Sequence, residues 1–279
     1  MKIKRFLAVV CLGGLCLIPA FAKGSSEGGS GGSDAPYTIE VAGSTSVTPL
    51  MELLAADYAK IRGNVKININ GTGSSDGIKA AAAGTSEIGM SSRELSPAEK
   101  GSALDELIIA IDGIAVIVNS GNPLSSLTIP QIRDIYAGRI DDWSQLGSGK
   151  SGKIAVVSRE PGSGTRGAFE ELIELKDQLV LGATEFDGTG AIKAEISRNA
   201  DAIGYISLGS VDSSVKTINI EGVAATTANV VNGSYRISRP FILLTKNAST
   251  HQETKRFLEW IMSSDGQAIV KKSWISVKG

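Results

Sequence analysis

The chain has 279 residues, 42% of them hydrophobic and 20% charged, with 33 glycines and only 5% aromatics. That length allows two compact lobes or one large domain, and the glycine excess suits many tight turns between short elements. With 28 basic against 29 acidic residues there is no basic excess, which argues against a nucleic-acid partner.

The first residues have the layout of an export signal. Lys2, Lys4 and Arg5 precede an apolar run from Phe6 to Ile18, and Ala20-Phe21-Ala22 fits the small-x-small cleavage rule. The run is too short for a membrane span, so 1–22 is expected to be removed. Residues 23–35, rich in Gly and Ser, are expected to be a flexible tether. Cleavage lowers the basic count from 28 to 25 against 29 acidic residues, a net charge near −4. Cys11 and Cys16 both lie inside the signal, so no disulfide is expected in the mature chain. The destination is the periplasm or the outside of the cytoplasmic membrane, with lipid attachment at Cys16 as the tethered alternative.

Beyond the tether, strands and helices alternate. Tyr37–Ala42 is predicted as a strand, 49–61 as a helix with Leu50, Leu53, Leu54, Tyr58 and Ile61 on one stripe, and 65–69 as a strand. A helix over 78–83 and a strand over 87–90 follow. Residues 107–118 (LIIAIDGIAVIV) are almost wholly apolar, as a strand buried on both faces should be. A second series follows: helix 129–137, strand 154–157, helices 167–175 and 191–198, strand 202–206. The apolar strand 241–245 and helices 250–262 and 265–272 end the chain. The alternation predicts parallel, helix-covered sheets. The two long apolar strands are expected to cross between lobes, with 36–115 plus 242–279 in lobe I and 116–241 in lobe II.

Three turns link a predicted strand to a predicted helix and share one composition. They are Gly43-Ser44-Thr45-Ser46, the stretch 71–77 (GTGSSDG) and the stretch 159–166 (REPGSGTR). A helix start leaves backbone N–H groups unpaired and carries partial positive charge, so an anion placed there accepts them. Serine and threonine add rotatable hydroxyl donors, and Arg159 adds a cationic fork suited to an oxyanion. Any one such turn is as well explained as a helix cap; three of them, all after strands, point to a ligand at the strands' carboxyl ends.

At these turns the sequence resembles the phosphate-binding proteins of ABC phosphate importers. The resemblance runs through AGSTSVTPL (42–50), GTGSSDGIKA (71–80), IGMSSREL (88–95), DGIAVIVNSGNPL (112–124), IRDIYAGRIDDWSQLG (132–147) and SREPGSGTRGAFEEL (158–172). It implies an α/β fold of two lobes closing about a two-strand hinge, each lobe a mostly parallel sheet flanked by helices. It also implies phosphate captured between the lobes and delivered to a membrane permease and its ATPase, by a monomer with no chemistry, cofactor or metal. Carried over by position, the anion ligands are Thr45, Ser46, Ser74, Ser92, Arg159, Ser163, Gly164 and Thr165, with Ser44, Ser75 and Ser91 beside them. Two positions depart from the family pattern. Ser92 stands where an aspartate accepts the ligand's proton, and Pro161 stands where a second acid follows the arginine. Asp76 and Asp112 are the candidate replacements for the missing carboxylate, set against plainer roles as a helix cap and a hinge residue.

Rival readings remain at this stage. The same fold could take sulfate or molybdate, or serve as a phosphate sensor. Residues 73–77 also match the G-x-S-x-G elbow of serine hydrolases. The only histidine, His251, falls in a polar helix start and reads as a surface residue, not as a catalytic base. Trp143, after the acidic pair Asp141-Asp142, reads as a core residue under a solvated loop.

Overall fold

A computed structural model describes residues 35–175, 178–246 and 250–278. The export signal, the tether with its net-charge consequence, and the cysteine and lipid expectations lie outside the described residues, except for Ala35.

The order of elements is β1 (Tyr37–Gly43), α1 (Thr48–Ile61), β2 (Val65–Gly71), α2 (Ser74–Ala83), β3 (Ile88–Ser91), α3 (Pro97–Lys100) and β4 (Asp105–Asn119). Then come β5 (Ser126–Leu127), α4 (Ile129–Tyr136), β6 (Ala155–Arg159), α5 (Gly164–Leu172), β7 (Thr184–Phe186), α6 (Gly188–Arg198) and β8 (Ala202–Ser207). The last are β9 (Val215–Thr217), β10 (Asn219–Ile220), α7 (Thr227–Val231), β11 (Ser238–Thr245), α8 (Gln252–Ile261), α9 (Ser264–Val270) and β12 (Ile275–Ser276).

The strands run in the order β2-β1-β3-β11-β4-β8-β6-β7. Pairing is parallel for β1 with β2 and β3, and for β6 with β7 and β8. Between these two blocks lie β11 and β4, antiparallel to each other and to their outer neighbours. Within the mostly parallel sheets expected, β4 and β11 are antiparallel to their neighbours and form the seam between the two parallel blocks.

The 15-residue β4 links two cores. Its first part, to Gly113, pairs with β11, and from Ile114 it pairs with β8. Ile109 and Ala110 pack with Ile39, Leu50, Phe241 and Phe257, whereas Ile114 to Val118 pack with Tyr136, Trp143, Phe169 and Tyr205. Beside the crossing, the Ile114 amide donates to the Ile237 carbonyl. The fold is thus two lobes whose connection runs through β4 and the start of β11.

Local patterns explain most elements. In β1, Ile39 and Val41 turn inward while Thr38 and Glu40 are exposed, the two-residue period of a half-covered strand. The buried stripe of α1 is Leu50, Met51, Leu54 and Tyr58; Leu53 and Ile61, expected on it, are 46% and 60% exposed. At about 100° per residue Leu53 falls off the edge of the stripe that the deeper four define, whereas Ile61 lies on the stripe's side but is the last residue of the helix. Trp143 is fully buried, with Asp142 capping the short helical turn that carries it.

Three helices begin earlier than apolar periodicity indicates. α2, α5 and α6 start at Ser74, Gly164 and Gly188, not near 78, 167 and 191. Apolar spacing marks only the turns packed on a core, and here the first turn is made of small polar residues.

Register then sets the level at which these helices start. β1 pairs Gly43 with Gly71 and with Met90, so three loops leave lobe I side by side. β7 pairs Phe186 with Arg159, which sets the starts of α5 and α6 beside each other in lobe II. Close packing of α2 on the strands depends on Gly77. A Cβ there would lie 2.6 Å from the Gly43 Cα and 2.7 Å from the Ala42 carbonyl oxygen, both rigid backbone. Gly77→Ala is expected to destabilise the fold by about 1–3 kcal/mol through overpacking, measured as a fall in the urea midpoint at unchanged slope.

Candidate functional site

Side chains from both lobes meet at the strands' carboxyl ends. Ser44, Ser46, Ser74, Ser92, Arg159, Ser163, Thr165 and Thr189 are each at most 6% exposed. Polar groups are rarely buried in such number unless they bond to one another or to a ligand.

Two linked sets of hydroxyls make up the centre. In lobe I, Ser44 Oγ donates to Ser92 Oγ at 2.9 Å, and Ser74 Oγ lies 3.3 Å from Ser92 Oγ while accepting the Ser92 amide at 3.1 Å. Across the lobes, Ser46 Oγ lies 2.8 Å from Thr165 Oγ1 and 3.1 Å from Thr189 Oγ1. Thr45 Oγ1 accepts from the Thr189 amide at 3.3 Å.

Arg159 ends β6 and is 1% exposed. Glu160 meets its guanidinium in a fork, with Nε and Nη2 donating to the two carboxylate oxygens at 2.8 and 2.7 Å. Nη2 also donates to Thr45 Oγ1 at 3.0 Å and Nη1 to Thr189 Oγ1 at 3.4 Å. The arginine therefore faces the hydroxyl cluster with its charge held in place. Tyr205 fixes the strand beneath. Its hydroxyl accepts the Arg159 amide at 3.3 Å and shares a 2.9 Å bond with Ser158 Oγ, while its ring stacks on Phe169 at 3.9 Å. Burial pushes the Tyr205 hydroxyl up to about 12, so it stays protonated and neutral.

The starts of α1, α2, α5 and α6 border the cluster. Gly73, at φ +102°, turns the chain into α2, a conformation that favours glycine. Ser163 caps α5, accepting the Arg166 amide at 3.3 Å. The Ser75 amide donates to the Gly162 carbonyl at 3.1 Å, joining the lobes through backbone. Beside the cluster a groove of about 720 Å³ is lined by Thr45, Thr72, Asp76, Glu160 and Gly188 among others.

The structure separates the remaining sequence candidates. Ser91 closes its own turn, donating to the Arg93 carbonyl at 2.8 Å. Ser75 Oγ accepts from Arg93 at 3.2 Å. Asp76 does not cap α2: its side chain is 60% exposed and faces Lys79. Asp112 is buried at the hinge, paired with Arg239 at 3.1 Å and accepting Ser207 Oγ at 2.9 Å. Burial pushes its carboxyl up and the Arg239 guanidinium down, and each charge holds the other. Neither acid joins the hydroxyl cluster.

Two members of the site escaped the sequence reading. Thr189 was hidden because apolar spacing placed the start of α6 too late, although Asp187-Gly188-Thr189-Gly190 has the composition of the other turns. Glu160 was given no role beyond its place in the 159–166 turn, and it is the acid that holds the arginine.

The hydrolase elbow does not assemble. His251 caps α8, accepting the Glu253 amide at Nδ1, and stacks on Tyr37 at 3.8 Å. Tyr37 begins β1, whereas Ser75 follows the far end of β2, a strand length of about 20 Å away. Among the described residues no group of three metal-ligating side chains converges, and no helix is long and apolar enough to cross a membrane.

Fold and site together define a two-lobe α/β protein with a buried cluster of hydroxyls and one arginine where the lobes meet. A model of the PBP superfamily domain matches residues 26–265. The chain belongs to the PBP superfamily. A crystal structure from Clostridium perfringens, assigned to a phosphate ABC transporter and holding bound phosphate, is 46% identical; the match covers 86% of this chain and 100% of that one, with a TM-score of 0.85. An ABC-type phosphate transport receptor from Vibrio cholerae is 34% identical over 86% of this chain and 99% of its own, with a TM-score of 0.72. The phosphate-binding protein PstS 2 of Streptococcus agalactiae is 43% identical over 148 residues, and this match spans half of either chain.

Gly164 sits tightly against the other lobe. A Cβ there would lie 2.8 Å from Ser74 Cβ and 2.9 Å from Ser92 Oγ. Gly164→Ala is expected to wedge the cleft, weakening anion binding by roughly tenfold or more. Its unliganded thermal midpoint should stay near the parent's, since Ala suits a helix start; calorimetry and thermal unfolding read the two effects separately.

Proposed function

We propose that this protein is an exported solute-binding protein that captures inorganic phosphate between its lobes and delivers it to the permease and ATPase of an ABC importer, without catalysing a reaction. The observation that carries this reading is the meeting of hydroxyls from both lobes around the buried Arg159. A tetrahedral oxyanion entering the cleft takes over the hydroxyl-to-hydroxyl bonds. Each hydroxyl turns its proton to an anion oxygen or its lone pair to the anion's proton. Charge-assisted bonds contribute roughly 1.5–3 kcal/mol each, and micromolar affinity needs about −8 kcal/mol net. The anion contacts Ser46 and Ser74 of one lobe and Arg159 and Thr165 of the other. Only the closed arrangement offers both sets, so binding favours closure.

One observation favours a second reading of the ligand. Ser92 brings a hydroxyl where a proton-accepting carboxylate is expected, and the nearby acids are committed elsewhere: Glu160 to Arg159, and Asp112 to Arg239. A site of rotatable hydroxyls accepts sulfate or molybdate without the repulsion a carboxylate would supply.

Titration calorimetry of the purified protein with phosphate, sulfate and molybdate separates the two. Phosphate is expected to bind most tightly, and tighter sulfate binding overturns the phosphate assignment. Arg159→Ala should weaken phosphate binding at least tenfold, roughly 1.4 kcal/mol; an unchanged affinity removes Arg159 from the site.

A further inference from the structure

A second buried cation sits behind the cleft. Arg239 on β11 is 4% exposed and stands directly opposite Asp112 on β4 in the strand register. Its guanidinium lies 5.5 Å from the centre of the Phe241 ring. Nη2 donates to Asp112 Oδ2 at 3.1 Å, and Nη1 donates to the main-chain carbonyl of Ser92 at 3.1 Å. Asp112 Oδ1 in turn accepts Ser207 Oγ at 2.9 Å and the Gly209 amide at 3.4 Å.

The position of this pair matters. Asp112 lies two residues before Ile114, where β4 leaves β11 for β8, and Ser207 is the β8 residue paired with Ile114. One ion pair thus touches both strands that connect the lobes, the second lobe through Ser207 and Gly209, and the loop that carries Ser92.

We propose that Arg239 is a positioning residue for anion binding: it fixes the Ser92 loop against the hinge, so that the Ser92 hydroxyl is presented to the ligand only when Asp112 is also held by Ser207 and Gly209. This rests on Ser92 being an anion ligand. The guanidinium suits the task because two of its donors, held in one rigid plane, point at two different acceptors; a lysine ammonium is a point charge without that fork. The neighbouring hydroxyls depend on the same loop, since Ser92 Oγ accepts from Ser44 and its amide donates to Ser74.

The test is a double-mutant cycle on phosphate affinity, with thermal unfolding of each unliganded variant alongside. Arg239→Lys keeps the charge but loses the fork, and is expected to weaken phosphate binding about tenfold, as is Ser92→Ala; the double variant should bind no more than about twofold worse than Ser92→Ala alone, since both remove one interaction. A purely structural arginine would lower the unfolding midpoint and leave affinity alone. Unchanged affinity in folded Arg239→Lys, or losses that multiply in the double variant, overturns the proposal. Should Arg239→Lys fail to fold, Ser207→Ala serves in its place, removing only one bond to Asp112. It should weaken binding about threefold in the parent and leave Ser92→Ala unaffected, and an unchanged parent affinity overturns the proposal equally. If the parent protein itself does not bind phosphate, both the site reading and this role fall; if it binds and the cycle is flat, only this role does.

Discussion

A guanidinium that is almost wholly removed from water must have its charge and its donors met, because burying an unpaired ion is strongly unfavourable. Arg159 is in that position at 1% exposure. Glu160 offsets the charge through two parallel bonds, and Thr45 and Thr189 take the remaining donors that face the cleft. Those partners come from different elements: the residue after the strand end, the β1–α1 loop of the other lobe and the start of α6. Holding Arg159 therefore requires strand register, loop course and lobe closure to agree. The buried hydroxyls and helix starts around it are arranged about this one cation.

Its pairing with Glu160 also bears on how the proposed anion site would work in a protein with no basic excess. The local charge of arginine and carboxylate sums to zero, so attraction for an oxyanion depends on directed donors: backbone N–H groups at helix starts, hydroxyls and the open edge of the guanidinium. Such donors act only at close range. Close range in turn requires small residues, and Gly164 lets backbone approach Ser74 and Ser92 within the space that a methyl group would fill.

Two ion pairs, each with a buried arginine, divide the work between cleft and hinge. Arg159 with Glu160 belongs to lobe II and faces the ligand side. Asp112 with Arg239 sits where the connecting strands pass between the cores and reaches the Ser92 carbonyl. Phe169 and Tyr205 tie the lobe II core to the base of Arg159 through the Tyr205 hydroxyl. Packing thereby fixes the site from below while the hinge fixes it from behind.

The sequence alone determined the alternation of strands and helices, the buried character of β4 and the three Gly/Ser/Thr turns. These follow from neighbouring residues: side-chain period, the backbone freedom of glycine and the preference of serine and threonine for helix starts. Through the family resemblance it also brought Ser46, Ser74, Ser92, Arg159 and Thr165 into one expected site. Only the tertiary structure decided that Thr189 joins that site, that Glu160 and not a later residue holds the arginine, that Asp76 turns to solvent, and that Asp112 serves the hinge. Ser46 and Thr189 are 143 positions apart, and Arg239 and the Ser92 carbonyl 147. Contacts so distant in sequence are set by strand register and by the crossing of β4 and β11 between lobes, and no local pattern of residues records them.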